Sequence, residues 1–217
     1  MNKPNRAVIF DMDGTIVDNM DVHIDTWLIY LEQHKIDLTR EAFLKLNHGN
    51  LTEIISRVFQ LDKSDPRVME LGQAKEQFYR DTYRGNIVEI PGLTNTLRHL
   101  KAQNISCGLA TMGDTPNIDL VVDALEIRSF FDSIIGGHQV SKGKPDPQIF
   151  LSVLRDLDRI PDDCLVVEDS VSGVKAALNA GIKVVGITTS HSREELLDHG
   201  CIETISDYSV FDINRYF

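Results

Sequence analysis

Ala7-Val8-Ile9-Phe10-Asp11-Met12-Asp13-Gly14-Thr15 is the stretch on which the fold turns. Four apolar residues in a row, bounded by polar ones, make a short buried strand. Two carboxylates follow, and then a glycine that lets the chain turn. Residues at i and i+2 of a strand point to the same side. Asp11 and Asp13 can therefore face one pocket, or one can offer its side chain and the other its backbone carbonyl. Two close anions repel unless a cation or a proton lies between them. The pair suits a hard cation such as magnesium, and equally a nucleophile beside a general acid/base. A plain polar turn would use the same residue types, so the rest of the chain has to decide.

Beyond Gly14 the texture changes twice. From Asp18 to about Tyr83 no strand pattern occurs. His23, Trp27, Tyr30 and Leu31 recur at helical spacing, as do Phe43, Leu44 and Leu46, then Leu51, Ile54, Ile55 and Val58, then Val68, Leu71, Phe78 and Tyr79. This predicts about four helices, with Pro66 near the start of the last, where proline is favoured. From Ile90 onward strands and helices alternate: strands over 105–110, 134–135, 164–167 and 183–187, and helices from about 93 to 102 and over 116–125, 147–157, 171–180 and 193–199. Alternation of this kind implies a doubly wound parallel sheet, whose strands read as continuous apolar runs because both faces are covered. The expected architecture is α/β, with a Rossmann-like core over 1–17 and 87–217 and an inserted α-helical cap over 18–86.

The 217 residues suffice for one domain with a sizeable insertion, and a composition 42% hydrophobic and 25% charged is that of a globular protein. The formal net charge of −11 argues against a nucleic-acid partner, which wants clustered Lys and Arg, and against an anionic membrane surface. Cys107, Cys164 and Cys201 match no metal-binding spacing, and an odd, sparse count fits a reducing compartment. Residues 1–6 lead straight into the first strand, and no apolar run is long enough to span a bilayer. The expectation is a cytoplasmic protein, and a monomer, acting on a small molecule.

In open α/β sheets ligands bind at the carboxyl ends of the strands, and three further polar clusters fall there. Thr111, followed by Met112 and Gly113, offers a hydroxyl and free backbone N–H groups for an anionic oxygen; Thr111 and Asp114 would equally cap a helix. Lys144, within Lys142-Gly143-Lys144-Pro145-Asp146-Pro147, is a stiffly held cation suited to phosphate, or a solvated loop lysine. Glu168-Asp169-Ser170 supplies two more acids as metal ligands, with Asp169 and Ser170 also able to cap the next helix.

Asp, Asp, Thr, Lys, Glu and Asp, in that order at strand ends of one sheet, form a joint pattern that resembles the haloacid dehalogenase-like (HAD) hydrolase superfamily across essentially the whole chain. The matching stretches are 8–15, Thr111, 143–147, and 167–170 with Gly173 and Ala176-Ala177. A helical cap after the first motif looks like subfamily I, the beta-phosphoglucomutase and phosphoglycolate-phosphatase-like group. The resemblance implies that Asp11 attacks phosphorus and becomes an aspartyl phosphate. Asp13 would protonate the leaving alcohol and then activate water. Mg²⁺ would sit on the Asp11 side chain, the Asp13 carbonyl and Asp169, with Glu168 in or beside the shell, and Thr111 and Lys144 would hold the phosphoryl oxygens.

Dehalogenases of this fold lack the second acid, so Asp13 argues against that chemistry. A phosphomutase must grip a second phosphate. By resemblance it uses a cap arginine just before the second cap helix and a Ser-Lys-Asn-like run after the second motif. Here the corresponding stretches are Asn47-His48-Gly49-Asn50-Leu51-Thr52, with no arginine before Arg57, and Gly113-Asp114-Thr115. The expectation is thus a Mg²⁺-dependent phosphatase of a small phosphorylated metabolite such as a sugar phosphate, with a sugar phosphomutase as the alternative. His23 on the first cap helix can reach Asp13 or the substrate, or simply face its neighbours. Asn47 and His48 fall in the expected substrate loop. Thr188 to Leu196 reads as structural, and His138, His191 and His199 as loop or surface residues.

Overall fold

A computed structural model describes residues 6–217; residues 1–5, which the sequence reading places ahead of the first strand, lie outside the described residues. The strands are β1 (Ala7–Phe10), β2 (Ser106–Ala110), β3 (Ser133–Ile135), β4 (Cys164–Glu168), β5 (Lys183–Ile187) and β6 (Glu203–Ile205). They form one parallel sheet in the order β3-β2-β1-β4-β5-β6. The fold is therefore α/β with a Rossmann-like core, as expected. The chain order reverses at β1, which lies between β2 and β4, and this is the switch point at which such sheets bind ligands.

Side chains alternate across each central strand. Val8 and Phe10 enter one apolar cluster with Leu109, Leu165 and Val167, while Ala7 and Ile9 enter the other with Ala110, Cys164 and Val166. Helices cover both faces: α5 (Leu93–Ala102), α6 (Thr115–Ala124), α7 (Gln148–Leu157), α8 (Val171–Asn179) and α9 (Arg193–Asp198). Asp114 caps α6 and Ser170 caps α8 through their side-chain oxygens. All three cysteines are buried thiols, packed as small core residues.

Four helices stand between β1 and α5, the number the periodicity predicts: α1 (Met20–Gln33), α2 (Arg40–Leu46), α3 (Leu51–Phe59) and α4 (Pro66–Tyr83). They bury their own cluster of Ile24, Trp27, Leu31, Phe43, Ile54, Ile55, Val58 and Val68. Local sequence starts each of the last three: Thr39 caps α2, Asn50 and Glu53 form a capping box on α3, and Asp65 caps α4 with Pro66 at its first turn. The two connections to the core lie side by side: Val17 bridges Glu89 in antiparallel fashion, and the Ile90 amide donates to the Ile16 carbonyl at 2.9 Å.

Strand β6 and the short 3-10 turns after it do not emerge from the sequence pattern, because three residues give no periodicity to read. No helix among the described residues is long and apolar enough to cross a membrane.

Ile9 is fully buried in the central strand. Ile9→Ala should lower unfolding free energy by about 2–5 kcal/mol through lost burial and a residual cavity, read as a shifted urea midpoint at constant m.

Candidate active site

Strand register builds the centre. Phe10 is level with Leu109 on one side and Val167 on the other, so the next residue out, Asp11, stands level with Glu168, the last residue of β4. The Asp11 amide extends the ladder, donating to the Val167 carbonyl at 3.1 Å. Lys144 reaches in from the loop before α7. Its Nζ donates to Asp11 Oδ1 at 2.6 Å, to Glu168 Oε1 at 2.6 Å and to the Ala110 carbonyl at 3.2 Å. It is 5% exposed, over the Phe150 ring, and so is no solvated loop lysine. Burial lowers the Lys144 pKa, but Asp11 and Glu168 outweigh it and hold the ammonium above its ordinary value.

Asp11, Glu168 and Asp169 bring carboxylate oxygens within 4.8 Å of one another, all buried. Three carboxylates thus face one ammonium. Burial, with the repulsion of Glu168 and Asp13, pushes Asp11 up to about 8 against the pull of Lys144. Burial and the charges of Glu168 and Asp11 raise Asp169 well above the carboxylate range. An under-compensated set of hard oxygen donors is what a divalent cation fits, so Asp11, Glu168 and Asp169 are the residues present to hold one.

Neighbours fix the acids' rotamers. Ser190 Oγ donates to Asp169 Oδ2, with a longer approach from Thr15 Oγ1 at 3.5 Å to Oδ1. Glu168 Oε2 accepts from the Ser170 amide at 2.8 Å and the Ser170 hydroxyl at 3.0 Å. Ser170, not Asp169, caps α8, which leaves the Asp169 carboxylate to the site. Gly14 has φ +77°, and any Cβ there would collide with the Asp169 carboxylate, so both the turn and the close approach require glycine. The 188–196 stretch, read as structural, also brings Thr189 Oγ1 to the Gly14 carbonyl. His191, expected at the surface, places Nδ1 3.0 Å from the Asp169 carbonyl.

Asp13 lies in a different setting. Its Oδ1 accepts from Asn19 Nδ2 at 2.7 Å and meets His23 Nε2 at 3.3 Å. Burial raises the Asp13 pKa, but His23, Asn19 and Lys75 outweigh it, and the net shift is downward. Asn19 also accepts from the Gly14 amide at 3.1 Å and donates to the Tyr79 hydroxyl at 2.7 Å. The His23 ring stacks on Tyr79 with centroids 3.7 Å apart.

Thr111 is fully buried at the end of β2, its Oγ1 accepting from the Gly113 amide at 3.0 Å; Asp114, not Thr111, caps α6. Met112 and Gly113 follow in the same turn, and the Gly113 carbonyl accepts from the Gly137 amide at 3.0 Å. The loop with Asn47 and His48 reaches the core through backbone: a Cβ on Gly143 would meet Gly49 and Asn50. Among the described residues the side chains of Asn47 and His48 form no hydrogen bond, and Arg57 donates to the carbonyls of Leu46 and His48. The sequence reading missed Asn19, Tyr79, Lys75, Thr15 and Ser190, all ordinary helix or loop residues by pattern.

A core with a switch-point site of three acids and a lysine, overlain by inserted helices, defines a class, and comparison with known proteins agrees. Residues 8–187 match the family described as haloacid dehalogenase-like hydrolase, and the chain belongs to that family. It is a HAD-type hydrolase whose named relatives include phosphatases. It is similar to the phosphorylated carbohydrates phosphatase of Thermotoga maritima, 27% identical over 215 residues, covering 95% of this chain and 97% of that protein. It is also similar to the beta-phosphoglucomutase of Bacillus subtilis, 31% identical over 189 residues, covering 84% of this chain and 83% of that one. Among solved structures, a HAD hydrolase of family IA, variant 3, from Entamoeba histolytica superposes with a TM-score of 0.87 at 28% identity, covering 97% of each chain.

Relief of carboxylate repulsion by a cation should appear as stability. Mg²⁺ at about a hundred times its Kd should raise stability by about 2.7 kcal/mol, or roughly 5–10 °C in Tm for a chain of this size. Asp169→Asn should raise Tm in chelator, by removing one of the buried repelling charges, and abolish most of the Mg²⁺ shift; scanning calorimetry with and without EDTA checks both.

Proposed function

We propose that the protein is a Mg²⁺-dependent phosphatase of a small phosphorylated metabolite, a sugar phosphate by chemical class, working through an aspartyl phosphate. The observation that carries this reading is the opposite treatment of two neighbouring carboxylates. Asp11 is locked to Lys144 at the sheet ends, while Asp13 is turned toward Asn19 and His23. Paired acids in unlike environments divide nucleophile from acid/base.

In the first step an Asp11 carboxylate oxygen bonds to phosphorus as the ester oxygen leaves, and Asp13, which must take up a proton as substrate binds because its own surroundings favour the carboxylate, passes that proton to the leaving oxygen. In the second, Asp13 takes a proton from water as the water oxygen attacks phosphorus, and the bond to Asp11 breaks. Thr111 and the backbone amide of Met112 hold phosphoryl oxygens, with Gly113 closing the turn through its bond to Thr111, and Lys144 offsets charge there. The fitting cation, held by Asp11, Glu168 and Asp169 with the Asp13 carbonyl, would neutralise phosphate charge and keep Asp11 ionised. In this reading residues 18–86 act as a cap, with Asn47 and His48 at the substrate's far end and His23 beside the leaving group. The enzyme is a cytoplasmic monomer.

Hydrolysis is preferred over mutase chemistry because the nearby guanidinium groups are committed. Arg57 holds loop carbonyls. Arg80 holds Asn117, Gln77 and Asp114. Neither is left to grip a second phosphate.

The test is phosphate release from a panel of glucose and fructose phosphates and phosphoglycolate, with Mg²⁺ or EDTA, reading isomerised sugar phosphate in parallel. Metal-dependent release should fall roughly 10²–10⁴-fold in Asp13→Asn. In Asp11→Asn the loss should be larger, as removing a nucleophile costs on the order of 10⁶-fold in other covalent enzymes. Isomerised product without free phosphate would replace this reading with the mutase.

A further inference from the structure

We infer that Asn117, on core helix α6, is a positioning residue for Asp13, acting through hydrogen bonds that leave the core, cross the inserted helices and return. The inference rests on the assignment of Asp13 as acid/base. Asn117 is 1% exposed. Its Nδ2 donates to Glu76 Oε2 at 2.5 Å, across the boundary between α6 and α4. Glu76 Oε1 accepts from Lys75 Nζ at 2.9 Å. Lys75 Nζ lies 3.5 Å from His23 Nδ1, and His23 Nε2 lies 3.3 Å from Asp13 Oδ1.

Donor and acceptor rules give this path a direction. An arginine only donates, and Arg80 Nη1 lies 2.9 Å from Asn117 Oδ1. The Asn117 amide oxygen therefore faces Arg80, and its NH₂ faces Glu76. A lysine ammonium also only donates. Where that ammonium donates to His23 Nδ1, the ring proton sits on Nε2, facing Asp13. Lys75 is fully buried over the Trp27 and Tyr79 rings. Its one carboxylate partner among the described residues is Glu76. Loosening Glu76 frees Lys75 to swing off His23, and the tautomer and aim of the His23 ring go with it.

The path begins and ends on the core but passes through α4 and α1, so it is complete only while those helices sit on the core. Proton delivery to the leaving oxygen is thereby tied to the closed arrangement, when water is excluded.

A leaving-group comparison separates this role from a merely structural one. An alkyl phosphate such as a sugar phosphate needs a proton on its departing oxygen, whereas p-nitrophenyl phosphate expels a phenolate that needs none. Asn117→Asp keeps shape and the Arg80 acceptor but sets carboxylate against Glu76. It should lower kcat/KM for the sugar phosphate about tenfold or more, a fraction of a full general-acid contribution, and for the nitrophenyl ester less than about threefold. Adding Glu76→Gln restores the bond with donor and acceptor exchanged and should recover most of the loss. Should Asn117→Asp fail to fold, Asn117→Ala is read on the two esters alone, without the double variant. Equal loss on both esters, no loss in a folded variant, or no recovery in the double variant overturns the inference. Wild-type release that Asp11→Asn abolishes keeps the phosphatase reading standing whichever way Asn117 falls. A wild type that cleaves neither ester overturns both.

Discussion

Lys144 is the residue around which the site is organised. Its ammonium lies 2.6 Å from both Asp11 and Glu168. Burying ions costs several kcal/mol each, and a buried ion pair rarely stabilises a fold more than apolar packing would. The cluster is therefore kept for what it does. Parallel register supplies Asp11 and Glu168 at one level of adjacent strands, and the loop before α7 supplies the cation between them. Gly173 belongs to the same constraint: any Cβ there would strike the Glu168 carboxylate, so α8 must carry a glycine where it passes the acid.

The same economy explains how two aspartates two residues apart can do different work. Asp11 is enclosed by the sheet ends and shares its surroundings with two other acids, which pushes its pKa up. Asp13, one turn further out, is met by Asn19 and His23 from the inserted segment, and its pKa falls. The sheet ends and the loop before α7 alone make the buried cluster of acids and lysine; the environment of Asp13 comes from Asn19 and His23. A site built across two layers responds to how those layers are seated, which neither layer does alone.

The sequence was informative where chemistry and local pattern coincide. Apolar runs punctuated by glycine and proline locate β1, β2, β4 and β5, and the acids stand at the ends of β1 and β4 because turns there are polar, while Lys144 comes from the loop before α7. Local pattern failed where position depends on a distant partner. Lys75 and Glu76 sit in a helix whose polar composition gives no sign of their burial, yet α4 packs against α1, α3 and α6, and both residues are buried. Ser190 reads as a loop serine, and only the arrival of β5 beside β4 puts its hydroxyl on Asp169. Asp114 was legible as an acid where a mutase wants a cation and as a candidate helix cap, which it is for α6; that it pairs with Arg80 at 3.5 Å required the fold.

Charge placement limits which ligands suit this site. Asp11, Glu168 and Asp169 against Lys144 leave two negative charges, which one divalent cation cancels. Under the proposed function a phosphate monoester would meet a neutralised centre, with Thr111 and backbone N–H groups there for its own two charges. Among the described residues, the buried cations Lys75 and Arg80 are already paired. Glu76 consumes Lys75, and Asp114 and Asn117 consume Arg80, while the chain as a whole carries a formal charge of −11. Under the proposed function, a second anionic group recruiting either cation would have to draw Lys75 from Glu76 or Arg80 from Asp114 and Asn117, at a cost of the order of breaking a buried charge pair.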